Sequence, residues 1–354
     1  MKKNIISLCV CGLVGTSSLS YAAANTNLVD MNPATARPKY EVSLGALYLK
    51  PSSSNLDYAV LGYPFPVLSP HWDVQSVAPS NSFGLDLSGR YYIPNTDYDL
   101  ALSWDHLYTT DSDSTQVGSG FFVVFPFQAG PSADQSLNNP SQKARSNVSF
   151  TYNVVNLNVG KNVDFGSYKQ MRFFVGLSGA QLQQNISTTF RDNADTYSIN
   201  SKNVSKFNGI GPLIGIDSNC RFANGVGFFG TVAASALIGN LAASTKYTSS
   251  SPTLASSGIS VNYQSISPKD STQGVPGVEG KFGVDYTHRA GANSTFTASL
   301  GYQYVTYFNA ITTYTPAVVF GNVNTGSIAL SSLAKTWSNY TVQGPFLNVG
   351  FSFA

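Results

Sequence analysis

The feature that most constrains this chain is an alternation of period two that recurs from residue 40 to the end. No stretch beyond the first 24 residues reaches the ~18 consecutive apolar residues of a membrane-crossing helix, and no sustained 3.6-residue period competes with the alternation. Residues 40–50 put Tyr40, Val42, Leu44, Ala46 and Tyr48 on one face, against Glu41, Ser43 and Gly45. Residues 83–92 put Phe83, Leu85, Leu87 and Tyr91 against Asp86, Ser88 and Arg90, and residues 98–107 set Tyr98, Leu100, Leu102 and Trp104 against Asp99, Ser103 and Asp105. These are strands with one apolar and one polar face.

The pattern continues in 148–159, where Val148, Phe150, Tyr152 and Val154 change phase to Val155, Leu157 and Val159. That phase shift predicts a β-bulge at Val154-Val155. From Met171 the apolar face is Met171, Phe173, Val175 and Leu177, with Arg172 and Ser178 opposite. Residues 207–217 and 225–243 are rich in Gly and Ala and read less clearly. Val278, Phe282, Val284 and Tyr286 then face away from Glu279, Lys281 and Asp285. Phe296, Ala298, Leu300, Tyr302 and Tyr304 form the next apolar face, and the chain closes on Leu347, Val349, Phe351 and Phe353.

The links between strands come in two kinds that alternate strictly. Residues 94–97, 164–168, 219–225 and 290–293 are short and turn-like. Residues 51–82, 109–146, 188–206, 246–274 and 309–336 are long and rich in Ser, Thr, Asn, Gly and Pro. An all-β, antiparallel up-and-down transmembrane β-barrel has this organisation, with short periplasmic turns and long extracellular loops. The count is about ten strands, or twelve if a loop hides a further hairpin. Residues 121–127, with Pro126 inside, are the best place for one; the alternative is an apolar loop folded into the mouth.

The first 24 residues stand apart. Lys2 and Lys3 precede a short apolar run over 5–14, and Ala22-Ala23-Ala24 fits a small-residue cleavage site. This is the layout of a secretory signal peptide. The expected organisation is a cleaved signal over 1–24, a short periplasmic segment over 25–39, and one barrel domain over 40–354. Cys9 and Cys11 fall within the signal, which leaves Cys220 as the one cysteine of the mature chain, unable to form an internal disulfide.

The full chain carries 20 Lys+Arg against 18 Asp+Glu. Without Lys2 and Lys3 the two balance, and no polybasic patch points to nucleic acid. Only 11% of residues are charged, well under the usual quarter or so, yet mean hydropathy is close to zero. Strands with one face in lipid and one in water combine these properties. Three further features favour lipid over a soluble sandwich. Aromatic residues gather near strand ends, where amphipathic rings suit the headgroup zone. The strands read as about 9–11 residues, enough to cross a bilayer when tilted. The terminal strand is apolar and alternating, as needed to pair with the first, since no open edge survives in lipid. The expected location is the bacterial outer membrane, with outer-membrane lipid as the surrounding partner.

The opening strand Tyr40-Glu-Val-Ser-Leu-Gly-Ala-Leu-Tyr-Leu, the segment Ser103-Trp104-Asp105-His106 and the closing Phe346-Leu-Asn-Val-Gly-Phe resemble the major outer membrane protein family of Legionella and related intracellular bacteria. The resemblance covers most of the mature chain. It implies a pore-forming barrel that passes ions or small solutes, with subunits of some members linked by disulfides into homo-oligomers. Under that resemblance Cys220 is the residue that could form such a link; a free structural cysteine is the other reading.

Catalytic signatures of outer-membrane barrels are missing. Asp111 and Asp113 form an acidic pair just past a strand end, but no Asp-x-His occurs. His71, His106 and His288 are followed two residues on by Asp73, Tyr108 and Ala290, so no Ser–His pair is placed as in barrel phospholipases. No metal-ligand cluster, P-loop or dinucleotide fingerprint is present. The expectation is a protein that is not an enzyme and needs no cofactor or metal. Its inward face is expected to carry Glu41, Asp86, Arg90, Asp99, Asp105, Arg172, Glu279, Lys281 and Asp285 as pore-lining candidates. Mixed charges can line a narrow water path, or pair across the lumen and fill it. The competing function is a non-conducting barrel whose long loops mediate adhesion at the surface.

Overall fold

A computed structural model describes residues 38–62, 72–117, 123–126, 141–166, 168–195, 198–222, 224–249, 263–291, 293–322 and 327–353. The expected signal peptide lies outside the described residues, as does most of the 25–39 segment. Among the described residues there are fourteen strands and no helix. In chain order they are β1 (Tyr40–Ser52), β2 (Asp57–Gly62), β3 (Asp73–Ser76), β4 (Ser82–Tyr92), β5 (Tyr98–Gln116), β6 (Val123–Pro126) and β7 (Lys143–Phe165), followed by β8 (Lys169–Arg191), β9 (Ser198–Arg221), β10 (Val226–Ser249), β11 (Tyr263–Ile266), β12 (Ser271–Arg289), β13 (Ser294–Asn322) and β14 (Ser327–Phe353).

Ten of these strands close into an antiparallel barrel in the order β1-β4-β5-β7-β8-β9-β10-β12-β13-β14, with β14 returning to β1. Closure pairs the first strand with the last, from Tyr40 opposite Phe353 to Ser52 opposite Thr341. Following paired residues once around the wall from Tyr40 returns to β1 at Ser52, twelve residues further on. A stagger of this size tilts the strands by roughly 40° from the axis. The short turns include Asn95, Gly166 and Gly225 at positive φ.

The strands are longer than the sequence pattern suggests. Much of 109–116, 143–146, 188–206 and 309–336 continues as strand rather than loop. The reason is a change of solvent along each strand. On β7 the outward residues Val155, Leu157 and Val159 are apolar and the inward Asn156, Asn158 and Asn162 polar. Further out, the inward residues become Val154, Tyr152, Phe150 and Val148, while Asn153, Thr151, Ser149 and Asn147 face outward. Register with β5 and β8 runs unbroken through Val154 and Val155, so the bulge expected there is absent. What inverts is the environment: lipid outside and polar lumen inside below, water outside and a dry core inside above. Strands β8 and β9 invert at the same level, after Leu177 and Ile210.

The dry upper lumen is a single core to which nine of the barrel strands contribute, among them β1 (Leu47, Leu49), β7 (Phe150, Tyr152), β8 (Leu182, Ile186) and β14 (Tyr340, Phe346). The β1–β4 connection adds Leu56, Tyr58, Ala59 and Val77 to it. Strand β2 pairs with β3 and β6 in a separate three-stranded sheet. Val123–Pro126 therefore form a strand, with Pro126 on an edge where its missing N–H costs no ladder bond. Near the mouth, β13 is irregular between Tyr307 and Ile311, where Asn309 takes a positive φ of 57°. Beyond it Ala310 and Ile311 are buried, and Thr312 N–H donates to Ser205 Oγ on β9 at 3.0 Å. Thr245 on β10 donates to Tyr314 O at 3.2 Å, and Asn55 Nδ2 donates to Gln184 Oε1 and Thr313 Oγ1 at 2.8 and 3.0 Å. The β13–β14 hairpin thus bends over the opening and is tied to β9, to β10 and to the β1–β4 connection.

Placing lipid at the lower level only makes a prediction. Leu157→Arg puts a charge at mid-depth of the apolar band and should lower unfolding free energy by about 2–4 kcal/mol in lipid vesicles, whereas Asn147→Arg above the band should cost under about 1 kcal/mol. Denaturant titrations of the refolded variants measure the difference; equal losses would place the lipid boundary elsewhere.

Candidate functional site

The lower lumen collects charge because inward positions there alternate with lipid-facing ones, and a charge can avoid lipid only by pointing in. Glu41, Asp86, Arg90, Asp99, Asp105, Arg172, Glu279, Lys281 and Asp285 all fall on inward phases of their strands. The structure brings them into three groups.

The first is built around Arg172 on β8. Its guanidinium holds Asp99 from Nε at 2.9 and 2.8 Å and from Nη2 at 2.5 Å. Nη2 also donates to Asn158 Oδ1 at 2.5 Å, and Nη1 reaches Asp217 at 3.1 Å. Asn162 Nδ2 donates to Asp99 at 2.7 Å, and the Phe174 ring lies 5.0 Å from the guanidinium carbon. Arg172 and Asp99 are 4% and 0% exposed, so each is compensated by the other rather than by solvent. Gly160 makes room for this group, since a Cβ there would collide with the guanidinium.

Arg90 forms the second group, 3.9 Å from Glu41 and 3.8 Å from Asp217 on the far wall. Tyr92 OH donates to Glu41 at 3.0 Å. In the third group Lys281 on β12 spans the lumen to Asp105 on β5 at 3.6 Å and meets Glu279 at 3.0 Å. Asp86 sits opposite Asp105 in the β4–β5 register, adding a third carboxylate. Asp285 takes a hydrogen bond from Asn219 Nδ2 at 3.0 Å and forms no ion pair among the described residues. Among the described residues, the nine expected residues and Asp217 set seven carboxylates against three cations. Asp105 Oδ1, Asp285 Oδ1, Asn348 Oδ1 and both amide atoms of Gln303 are buried without a partner in the protein. Groups of this kind are ordinarily satisfied by water, and these atoms mark where the lower lumen would take it.

Its ceiling is aromatic. Tyr152 on β7 lies 6.5 Å from Tyr307 on the diametrically opposite β13 and 6.4 Å, stacked, from Tyr340 on β14. Phe150 meets Tyr340 edge-on at 5.6 Å. Rings from opposite walls therefore touch, and the bore closes at this level. The sequence pattern puts Phe150 and Tyr152 on an apolar face but not in the lumen, because they lie where polarity inverts. Asp217 is missed by the sequence reading, in which 207–217 is unclear; the signal that finds it is Ile210, Ile214 and Ile216, which set the outward phase of β9 and leave Asp217 inward.

Other candidates lie elsewhere. Cys220 is a free cysteine on the outward phase near the periplasmic end of β9, opposite Lys169 and Phe228. Asp111 and Asp113 stand on the outer extension of β5, where Asp111 accepts from Ser80 at 2.6 Å and Asp113 from Tyr58 at 3.3 Å. Burial, with Asp113 adding to it, raises the Tyr58 hydroxyl above the ordinary phenol range and keeps it a donor. His106 and His288 both share outward phases, and His71 lies outside the described residues. Among the described residues no group of three or more His, Cys, Asp or Glu is arranged to hold a metal ion.

A family model described as the Legionella pneumophila major outer membrane protein precursor matches residues 32–353. No curated protein matches the chain. Among solved structures, the outer membrane protease OmpT from Escherichia coli aligns over 89% of this chain and 96% of its own, at 11% identity and a TM-score of 0.40. The translocator domain of the autotransporter NalP from Neisseria meningitidis aligns over 92% of both chains at 10% identity and a TM-score of 0.32. A Pseudomonas aeruginosa FadL homologue aligns over 89% of this chain and 91% of its own at 9% identity and a TM-score of 0.24.

Removing one partner of the buried Arg172–Asp99 pair isolates the other. Arg172→Met should destabilise the barrel by about 3–5 kcal/mol, and adding Asp99→Asn should recover most of that loss. Thermal and denaturant unfolding in micelles compares the two; a double variant no better than the single one would show that packing, not charge, is lost.

Proposed function

The chain belongs to the Legionella major outer membrane protein family, and from that premise we propose that it is an outer-membrane pore of narrow bore for small cations, closed at the Tyr152–Tyr307–Tyr340 level. The observation that carries this reading is the charge surplus of the lower lumen: seven carboxylates against three cations among the described residues. A lumen built only to be filled would balance its charges, because each uncompensated buried carboxylate is costly. A surplus held in water instead draws mobile cations, and side chains facing a lumen set ion preference. The aromatic level acts as a hydrophobic constriction of the kind that gates by excluding water. No cofactor and no catalytic step belongs to this reading.

A second reading has one observation in its favour. The upper lumen is packed by strand residues as well as by the β1–β4 connection, which suits a barrel that anchors surface segments without conducting. Adhesion or another surface contact would then be its work.

Planar-bilayer recording of refolded, heat-modifiable protein separates the two. The pore reading expects small cation-preferring steps that grow several-fold in Tyr152→Ala/Tyr340→Ala. It also expects Asp86→Asn/Asp285→Asn to reduce the cation preference. If the wild type and the widened variant are both folded and silent, the surface reading replaces it.

A further inference from the structure

Negative charge is confined to one face of this barrel among the described residues. Every carboxylate on a barrel strand shares an inward phase, from Glu41 on β1 to Asp285 on β12. The outward phases carry cations and no carboxylate. Three of those cations gather on neighbouring strands. Lys202 and Lys206 point outward from β9, alternating with the buried Ser201, Asn203 and Ser205. Lys246 points outward from β10 between the buried Thr245 and Tyr247, and stands directly opposite Lys202. Like charges facing each other across a ladder are destabilising unless something lies between them. Among the described residues none of the three is within ion-pair distance of a carboxylate.

Their height selects the counter-charge. Lys206 stands four residues above Ile210, the uppermost lipid-facing residue of β9, and Lys246 eight above Ile238 on β10. At ~3.3 Å per residue and a tilt of roughly 40°, these stand about 10 Å and about 20 Å above the hydrocarbon. A phospholipid headgroup layer is only about 5–8 Å deep, so it ends below Lys206 and far below the upper pair. The wall beside them is a ladder of amides and hydroxyls on β8, with Gln183 opposite Lys206, Ser187 opposite Lys202 and Asn185 between the two. Such a wall suits sugar.

We propose that this outward patch on β8–β10 seats an anionic glycolipid of the outer leaflet. Its acyl chains would lie on Ile210 and Ile238, its sugars on the amide ladder, and its phosphate or carboxylate groups on Lys206, Lys202 and Lys246. The seat is independent of whether the lumen conducts.

The test uses the full refolded chain in micelles, with rough-type lipopolysaccharide and phosphatidylglycerol as separate probes and bound lipid counted by native mass spectrometry. Lipopolysaccharide should bind, and K202Q/K206Q/K246Q should weaken it about tenfold or more while keeping the heat-modifiable gel shift of a folded barrel. K50Q/K335Q, which removes outward cations elsewhere on the wall, should leave binding within about twofold. Equal loss in both variants would reduce the seat to general charge attraction and overturn it. So would undiminished binding in the triple variant, or phosphatidylglycerol binding as tightly as lipopolysaccharide. Deacylated lipopolysaccharide binding as tightly as the intact molecule would mark a soluble-glycan site instead and would equally overturn a lipid seat.

Discussion

Everything in this barrel depends on the pairing of β1 with β14. In hydrocarbon an unpaired backbone N–H or C=O has no water to turn to, so a spanning sheet must close on itself. Closure with a twelve-residue stagger fixes the tilt, and the tilt fixes which residues share a depth. Once the ring is closed, alternation alone assigns each side chain to lumen or exterior. The ladder loosens near Tyr48 and Leu49, where Gly344 and Pro345 stand opposite on β14. Gly344 adopts φ +154°, and a Cβ there would meet the Tyr48 carbonyl. That irregularity sits at the upper edge of the apolar band, close to water, where a missing bond costs least.

Each strand then passes through two pairs of solvents. Below, lipid lies outside and the polar lumen inside; above, water lies outside and packed apolar side chains inside. The same period-two pattern serves both levels with its polarity reversed. This division also distributes stability. The upper level behaves as an ordinary protein core, with Leu47, Leu107, Leu182 and Phe207 fully buried. The lower level is held by specific charge pairs, of which the doubly held Asp99 is the most enclosed.

This explains what could be read from the sequence. The barrel, its ten strands and the short turns were legible because lipid forces apolar outward positions and no helix competes. The inward placement of Glu41, Asp86, Arg90 and the other six charged residues followed from the same phase. The strand extensions were not legible, because above the lipid the apolar residues change sides and the pattern resembles a polar loop. The bulge expected at Val154-Val155 was the same effect misread: a change of solvent looks like a change of register when only polarity is counted. The aromatic constriction was hidden for a related reason, since Tyr152, Tyr307 and Tyr340 become neighbours only through closure of the ring.

The two layers that close the bore differ in what moving them would cost. The bent β13–β14 hairpin is tied across the mouth by Thr312 to Ser205, Thr245 to Tyr314 and Asn55 to Thr313. Each such bond contributes about 0.5–1.5 kcal/mol net, and releasing them leaves the β13–β14 ladder intact. Ala310 and Ile311 would lose their burial as well. The tyrosine level lies deeper and belongs to the strands themselves, so only side-chain rotation can widen it without breaking the ring. A hairpin that lifted would still leave Tyr152 against Tyr340. The bore is therefore set by rings fixed to the closed wall, and the mouth only decides what reaches them.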